Sequence, residues 1–175
     1  VFTEPADGLQ ALDLVLRDHP TQVAVAPIDW PVLAARLGSA PVPVSCSHFP
    51  SRLHAFVWRN WQLVPATRLA EVVGAKSSDI LRLGAEMGLQ KPPRITTDQQ
   101  RRSYITVIRR NWHLLPYEQL LQLLNWTPEK MEYTLRQDDG LFWKLGSIKP
   151  KCAPLKFTSP DEATRVRSAA IAHEL

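Results

Sequence analysis

With 175 residues, 45% of them hydrophobic, the chain is long enough to bury a genuine core in one or two domains. Its longest apolar runs, such as Val23 to Ile28, fall far short of the roughly 18 to 20 residues needed to cross a bilayer, so no membrane partner is expected. The net charge of +4 is unevenly placed: residues 1–50 hold 2 basic and 5 acidic side chains, residues 51–113 hold 11 and 4, and the remainder hold 8 and 8. An anionic partner would therefore meet the middle of the chain.

Residues 1–40 read as a short α/β segment. Leu9, Leu12, Leu14, Val15 and Leu16 recur at largely helical spacing between Ala6 and Arg17. Gln22 to Ala26 then reads as a strand bounded by Pro27, and Asp29-Trp30-Pro31 opens a short helix to Leu37. A lone strand cannot satisfy its own edges, so it is expected to pair with a missing part of a parent sheet, to pair with another chain, or to be forced into irregular packing. Val1 is not an initiator Met, and the opening residues lack the basic and apolar regions of a signal peptide. The chain is accordingly expected to be a fragment or a processed product.

Pro41 to Pro50 reads as a Pro-rich linker, and residues 51–90 as a first helical repeat. Arg59-Asn60-Trp61 returns fifty-one positions later as Arg110-Asn111-Trp112, with Leu63 and Pro65 matched by Leu114 and Pro116. Each copy continues into a helix-turn-helix pattern, which makes the repeated unit trihelical. In the first copy Leu53, Phe56 and Val57 form an apolar stripe, Pro65 starts the next helix, and Ala70, Gly74, Ile80 and Leu83 supply the small residue, the turn and the buried positions. Met87 and Leu89 are expected to close that core.

Residues 91–97 read as a stiff basic connector around Lys91-Pro92-Pro93-Arg94, and residues 98–140 as the second repeat. A capping box at Thr97-Asp98-Gln99-Gln100 is expected to start its first helix. Asn125 stands in for Gly74, Leu121 is bulkier than Ala70, and Thr127-Pro128 opens the third helix. Residues 141–175 complete the chain with a basic loop, whose Phe142, Trp143 and Phe157 are expected to anchor it to the core, and a closing helix capped at Ser159-Pro160-Asp161-Glu162. The expected fold is mainly α: two trihelical helix-turn-helix-like repeats, a short α/β N-terminal segment and a C-terminal closing helix.

Trp61, Trp112, Pro65 and Pro116 are the expected repeat core, each indole donor meeting a backbone carbonyl and each Arg-Asn pair reaching the loop before its Pro. Arg102 and Arg109, two helical turns apart and flanked by Arg101 and Arg110, outline a candidate anion-binding stripe. Neither His54 nor His113 has a sequence-local nucleophile or metal partner, and the adjacent carboxylates Asp138-Asp139 point in different directions. Cys46, His48 and Cys152 fall short of the four well-spaced ligands of a structural metal site. The sequence therefore assigns no catalytic, cofactor-binding or metal-binding residue, and no cofactor is expected.

Two resemblances extend this reading. Glu4 to Leu12, followed by Gln22 to Trp30, resembles the last helix and strand of a polyketide-synthase ketoreductase domain over about the first 37 residues. That family implies an upstream Gly-rich cofactor loop and a Ser and Tyr active site with a Lys or Asn helper. This chain has no such loop, and none of Tyr104, Tyr117 and Tyr133 is followed four residues later by Lys or Asn, so the resemblance implies a catalytically silent tail. Residues 51–152, through Phe56 to Trp61, Tyr104-Ile105-Thr106, Arg110 to Tyr117, Lys144-Leu145-Gly146 and Lys149 to Cys152, resemble a tandem helical region of large, poorly characterised bacterial glycoside-hydrolase-like proteins. That resemblance implies an accessory region whose partner is another domain or protein of the same system.

The leading expectation is thus a non-catalytic helical interaction or accessory module of a larger bacterial protein. The alternatives are a DNA-binding helix-turn-helix protein and a catalytically silent fragment of a ketoreductase or a glycoside-hydrolase-like protein.

Overall fold

The computed structural model describes residues 41–138 and 140–174. The helix, strand and helix expected within residues 1–40 lie outside them. Eight helices, and no strand, occur among the described residues: α1 (Arg52–Asn60), α2 (Ala66–Val73), α3 (Ser77–Glu86), α4 (Thr97–Asn111), α5 (Tyr117–Leu124), α6 (Pro128–Gln137), α7 (Leu141–Lys144) and α8 (Glu162–Glu174).

The boundaries follow from local chemistry. Ser51 caps α1 by accepting the His54 amide at 3.4 Å. Pro65 and Pro116 stand immediately before α2 and α5, where their missing N–H is harmless and their carbonyls accept the first helical amides. Gly74 ends α2 at φ +68°, and Asn125 ends α5 at φ +55°, a left-handed position that Asn tolerates. Thr127 caps α6 ahead of Pro128 at its first position. Two caps differ from the sequence expectation. The box on α4 belongs to Thr96, which exchanges bonds with Gln99, and the α8 cap is Asp161, whose carboxylate accepts the Thr164 amide at 2.8 Å. Each start has adjacent oxygen-bearing residues, so the pattern leaves the register of the cap open by one or two positions.

The two trihelical units, α1–α3 and α4–α6, repeat in register. Both ends of α2 and α3 recur fifty-one residues later in α5 and α6, and α1 and α4 both end at the repeated Asn. Equivalent helices face each other, α1 against α4 and α2 against α5, so the repeats meet about a pseudo-two-fold axis. Phe56, Leu69, Ile80, Leu83 and Met87 from the first unit and Ile108, Leu114, Leu115, Leu120 and Met131 from the second are fully buried in one continuous core. Leu121, where the first repeat has buried Ala70, is only half-buried, so its extra bulk is relieved toward solvent.

Trp61 and Trp112 are buried at equivalent places, 5% and 2% exposed. Their surroundings differ. The Trp61 ring lies on Gly84 of α3, where an added β-carbon would come within 2.2 Å of it, and its indole N–H donates to the Gln90 carbonyl at 2.8 Å. The second repeat carries Leu135 at the place of Gly84, and the Trp112 Nε1 is buried without a hydrogen-bond partner among the described residues. Only one of the two indole donors thus meets a carbonyl as the sequence led one to expect.

Candidate interaction site

The repeated Arg-Asn pairs face one another across the pseudo-two-fold axis; they do not reach the loops before Pro65 and Pro116. Asn60 Nδ2 donates to Asn111 Oδ1 at 2.9 Å and Asn111 Nδ2 donates to Asn60 Oδ1 at 2.8 Å. Each amide also donates to the carbonyl four residues earlier, Phe56 or Val107, at 2.8 Å. Arg59 reaches the Arg110 carbonyl at 3.2 Å, and Arg110 returns the bond to the Arg59 carbonyl at 2.6 Å. Both Asn side chains are completely buried, so this reciprocal set satisfies groups that would otherwise be costly orphans. A single sequence copy cannot reveal this pairing, because the partner of each motif is its own repeat.

The four arginines of the candidate anion stripe are divided by their partners. Arg101 and Arg102 share the Asp98 carboxylate at 3.1 and 2.9 Å, and Arg110 belongs to the inter-repeat pairing. Arg109 is the one member without a partner among the described residues. On α3, Arg82 sits between Asp79 at 3.0 Å and Glu86 at 3.8 Å, and on α6 Arg136 pairs with Glu132 at 2.6 Å. The third helices of the two units, which a helix-turn-helix protein would present to a groove, therefore carry internally matched charge.

The basic loop is largely a strap. Lys149 donates to the Trp112 and Leu115 carbonyls, each at 2.6 Å, and its ammonium lies 5.3 Å from the Trp112 ring centre. A cation placed at the C-terminal end of α4 favours both the unmet carbonyls and the helix dipole. Burial lowers the Lys149 pKa, opposed by the neighbouring Cys152 thiol. Arg52 holds the Leu114 and Ala153 carbonyls at 2.6 and 2.9 Å, and Gln119 clasps Leu155 through both its amide N–H and its carbonyl. Phe157 packs against the core as expected, whereas Phe142 and Trp143 do not anchor the loop: they lie on the short helix α7, 38% and 78% exposed. A four-residue helix has too few positions to bury its whole circumference, and Leu141 takes the buried one.

Of the histidines, His54 is buried with Nδ1 2.8 Å from the Ser51 hydroxyl and Nε2 without a partner among the described residues. Burial, reinforced by Arg167, holds it below its ordinary pKa. His113 is shifted the same way, by burial and then by Lys149 and Arg59. Asp138 accepts the Tyr104 hydroxyl and raises its pKa, tying α4 to the end of α6; Asp139 lies outside the described residues. Cys46 and Cys152 are free thiols, and no group of three or more potential metal ligands occurs among the described residues. No described helix is long and apolar enough to cross a membrane.

Two clefts, related by the same fifty-one-residue offset, flank the repeat interface. One is lined by Val72, Val73 and Gly74 from the end of α2 and by Pro116, Glu118 and Gln119 from the start of α5, and the strap residues Pro154 to Phe157 lie along it. The other is smaller, about 140 Å³ against about 610 Å³, and is lined by Leu123, Leu124 and Asn125 from the end of α5, by Pro65 and by Thr67, Arg68 and Glu71 of α2, by Gln100, Ser103 and Val107 of α4, and by Trp126. No known protein family, curated protein or solved structure matches this chain.

Proposed function

We propose that this chain is a non-catalytic helical module that serves as an interaction or accessory domain for another domain or protein of its own system. The observation that supports this reading is the exposed aromatic surface at α6 and α7, where Tyr133 on α6 is 68% exposed and Trp143 on α7 is 78% exposed. Those rings stand on helices that pack together, with Lys130 and Arg136 on the same α6. Tyr and Trp present large, stiff contact area, and together with Arg they dominate the energetics of protein interfaces. The chain's other distinctive polar side chains, Asn60, Asn111, Lys149 and Gln119, are engaged inside the fold.

The test compares the wild-type chain with a Tyr133→Ala/Trp143→Ala double variant of unchanged circular dichroism and melting temperature, in quantitative affinity capture from cells carrying the native gene. A partner held by the wild type and lost from the variant supports the reading. Equal recovery by both would refute the aromatic surface as the contact, and tight duplex-DNA binding in a fluorescence anisotropy titration with a steep salt dependence would replace the reading with the DNA-binding alternative.

A further inference from the structure

The cations of this chain meet two kinds of partner. Arg68, Arg82, Arg101, Arg102 and Arg136 each pair with a carboxylate of their own helix. Around the ends of α1 and α4 the partners are carbonyls instead: Arg59 and Arg110 hold each other's carbonyls at 3.2 and 2.6 Å, Arg52 holds that of Leu114 at 2.6 Å, and Lys149 holds those of Trp112 and Leu115, each at 2.6 Å. A carbonyl satisfies a donor but leaves its charge uncancelled. Among the described residues no carboxylate forms an ion pair with any of these four side chains, and the one whose field reaches Lys149 is Glu118.

Within this set the pseudo-two-fold axis brings Arg59 and Arg110 together. Each engages one terminal nitrogen on the other's backbone, which leaves most donors of both planar guanidiniums for a ligand. Arg59 is half-buried and Arg110 exposed, so the pair is open to solvent. The C-terminal ends of α1 and α4 would repel an anion, but the Arg59 and Arg110 carbonyls at those ends are each covered by the opposite guanidinium. His113, just beyond α4, completes the group. Its Nδ1 accepts the Val44 amide at 3.4 Å, which puts the proton of the neutral ring on Nε2, and no acceptor takes that proton among the described residues. Burial, then the charges of Lys149 and Arg59, hold the His113 pKa below its ordinary value, so the positive field at this point is not neutralised.

We infer that Arg59, Arg110 and His113 form a binding site for a phosphate monoester, the two guanidiniums holding its oxygens from either side of the pseudo-two-fold axis and His113 donating through Nε2. Two forked cations and a third donor match a dianion with three terminal oxygens. A carboxylate or a phosphodiester offers only two such oxygens and a single charge. Of the arginine stripe expected on α4, this site keeps Arg110 and leaves out Arg101 and Arg102, whose charge Asp98 already shares. The inference goes beyond the reading of the chain as an interaction module and uses neither Tyr133 nor Trp143.

The probe is methyl phosphate, mostly dianionic at about pH 7.5, titrated into the isotope-labelled full chain at constant ionic strength and followed by amide, guanidinium and imidazole chemical shifts. Saturable shifts should centre on Arg59, Arg110 and His113 with Kd on the order of 1 mM, and the His113 pKa should rise as the anion binds. Dimethyl phosphate and acetate, each with one charge, should bind about tenfold more weakly. His113→Ala leaves every bond between the repeats in place and should weaken binding about threefold, so the site can be tested even if Arg59→Gln/Arg110→Gln unfolds the chain. Arg101→Gln/Arg102→Gln should bind as the wild type does. Absence of saturable shifts at about 20 mM methyl phosphate, shifts centred on Arg101 and Arg102, equal affinity for the diester, or an affinity unchanged by His113→Ala would each overturn the inference. The Tyr133→Ala/Trp143→Ala variant should bind methyl phosphate normally, which separates failure at this site from failure of the aromatic surface.

Discussion

Removing one of the two interlocked Asn side chains should cost more than removing both. In Asn60→Leu, Asn111 keeps its bond to the Val107 carbonyl but loses both bonds to Asn60, leaving its Oδ1 without a partner at a site with 0% exposure. A buried polar group deprived of its partner costs about 1 to 3 kcal/mol, and the remaining Asn donor is also weakened, so each single variant should lose about 2 to 4 kcal/mol. Replacing both partners by Leu, close in size to Asn, removes the orphans together; the double variant should then be more stable than either single one, with a coupling energy of at least about 2 kcal/mol. Urea unfolding at pH 7, followed by tryptophan fluorescence and circular dichroism, gives the four free energies of the cycle. Additive losses, or single variants within about 0.5 kcal/mol of wild type, would refute the claim that this pair joins the repeats.

Gly84→Ala should destabilise by about 1 to 3 kcal/mol because the new methyl enters the Trp61 ring, whereas Gly74→Ala, where no atom lies within 4 Å but φ is +68°, should cost only about 1 kcal/mol; thermal melts distinguish them. Lys149→Met should cost about 2 kcal/mol by uncapping the Trp112 and Leu115 carbonyls, and should speed hydrogen exchange of the Leu155 amide before that of the α2 amides. Because His54 is held below its unfolded pKa of about 6.5, the folded chain resists its protonation. Its contribution to stability is complete above that value and is lost as pH falls from 6.5 through the folded pKa, so chemical denaturation at pH 7.5 and 5 should show a decline that His54→Gln makes shallower, His113 supplying part of the remainder.

The helices and the repeat were legible because they rest on local signals: Leu53, Phe56 and Val57 at helical spacing, Pro65 and Pro116 before their helices, and Gly74 and Asn125 at the left-handed ends. The burial of Trp61 and Trp112 followed from their size and repeated position. Their different surroundings did not, since the contact between Trp61 and Gly84 joins residues on separate helices and Leu135 only acquires meaning once the offset is applied to α6. The arginine stripe was correctly placed on α4, but pairing with Asp98 depends on side-chain conformation and the engagement of Arg110 depends on the other repeat. Lys149 and Gln119 escaped notice because each grips backbone carbonyls distant in sequence, and a carbonyl is present at every position of any chain. Phe142 and Trp143 looked like anchors beside Phe157 because composition does not say which aromatic in a loop finds room in the core.

The single strap has a consequence for how this arrangement could have arisen. Two separate copies of an ancestral trihelical unit, meeting about a true two-fold axis, would present two identical clefts and would have two identical following segments to fill them. Joining the copies head to tail makes the segment after the first copy into the connector around Lys91 to Arg94 and the start of α4, and leaves only the segment after the second copy, Lys149 to Phe157, to run along a cleft as a strap. Covalent fusion thus makes the two clefts inequivalent, and Arg68, Thr67 and Trp126 are free to differ from Gln119, Glu118 and Ala75 without disturbing the half along which the strap lies.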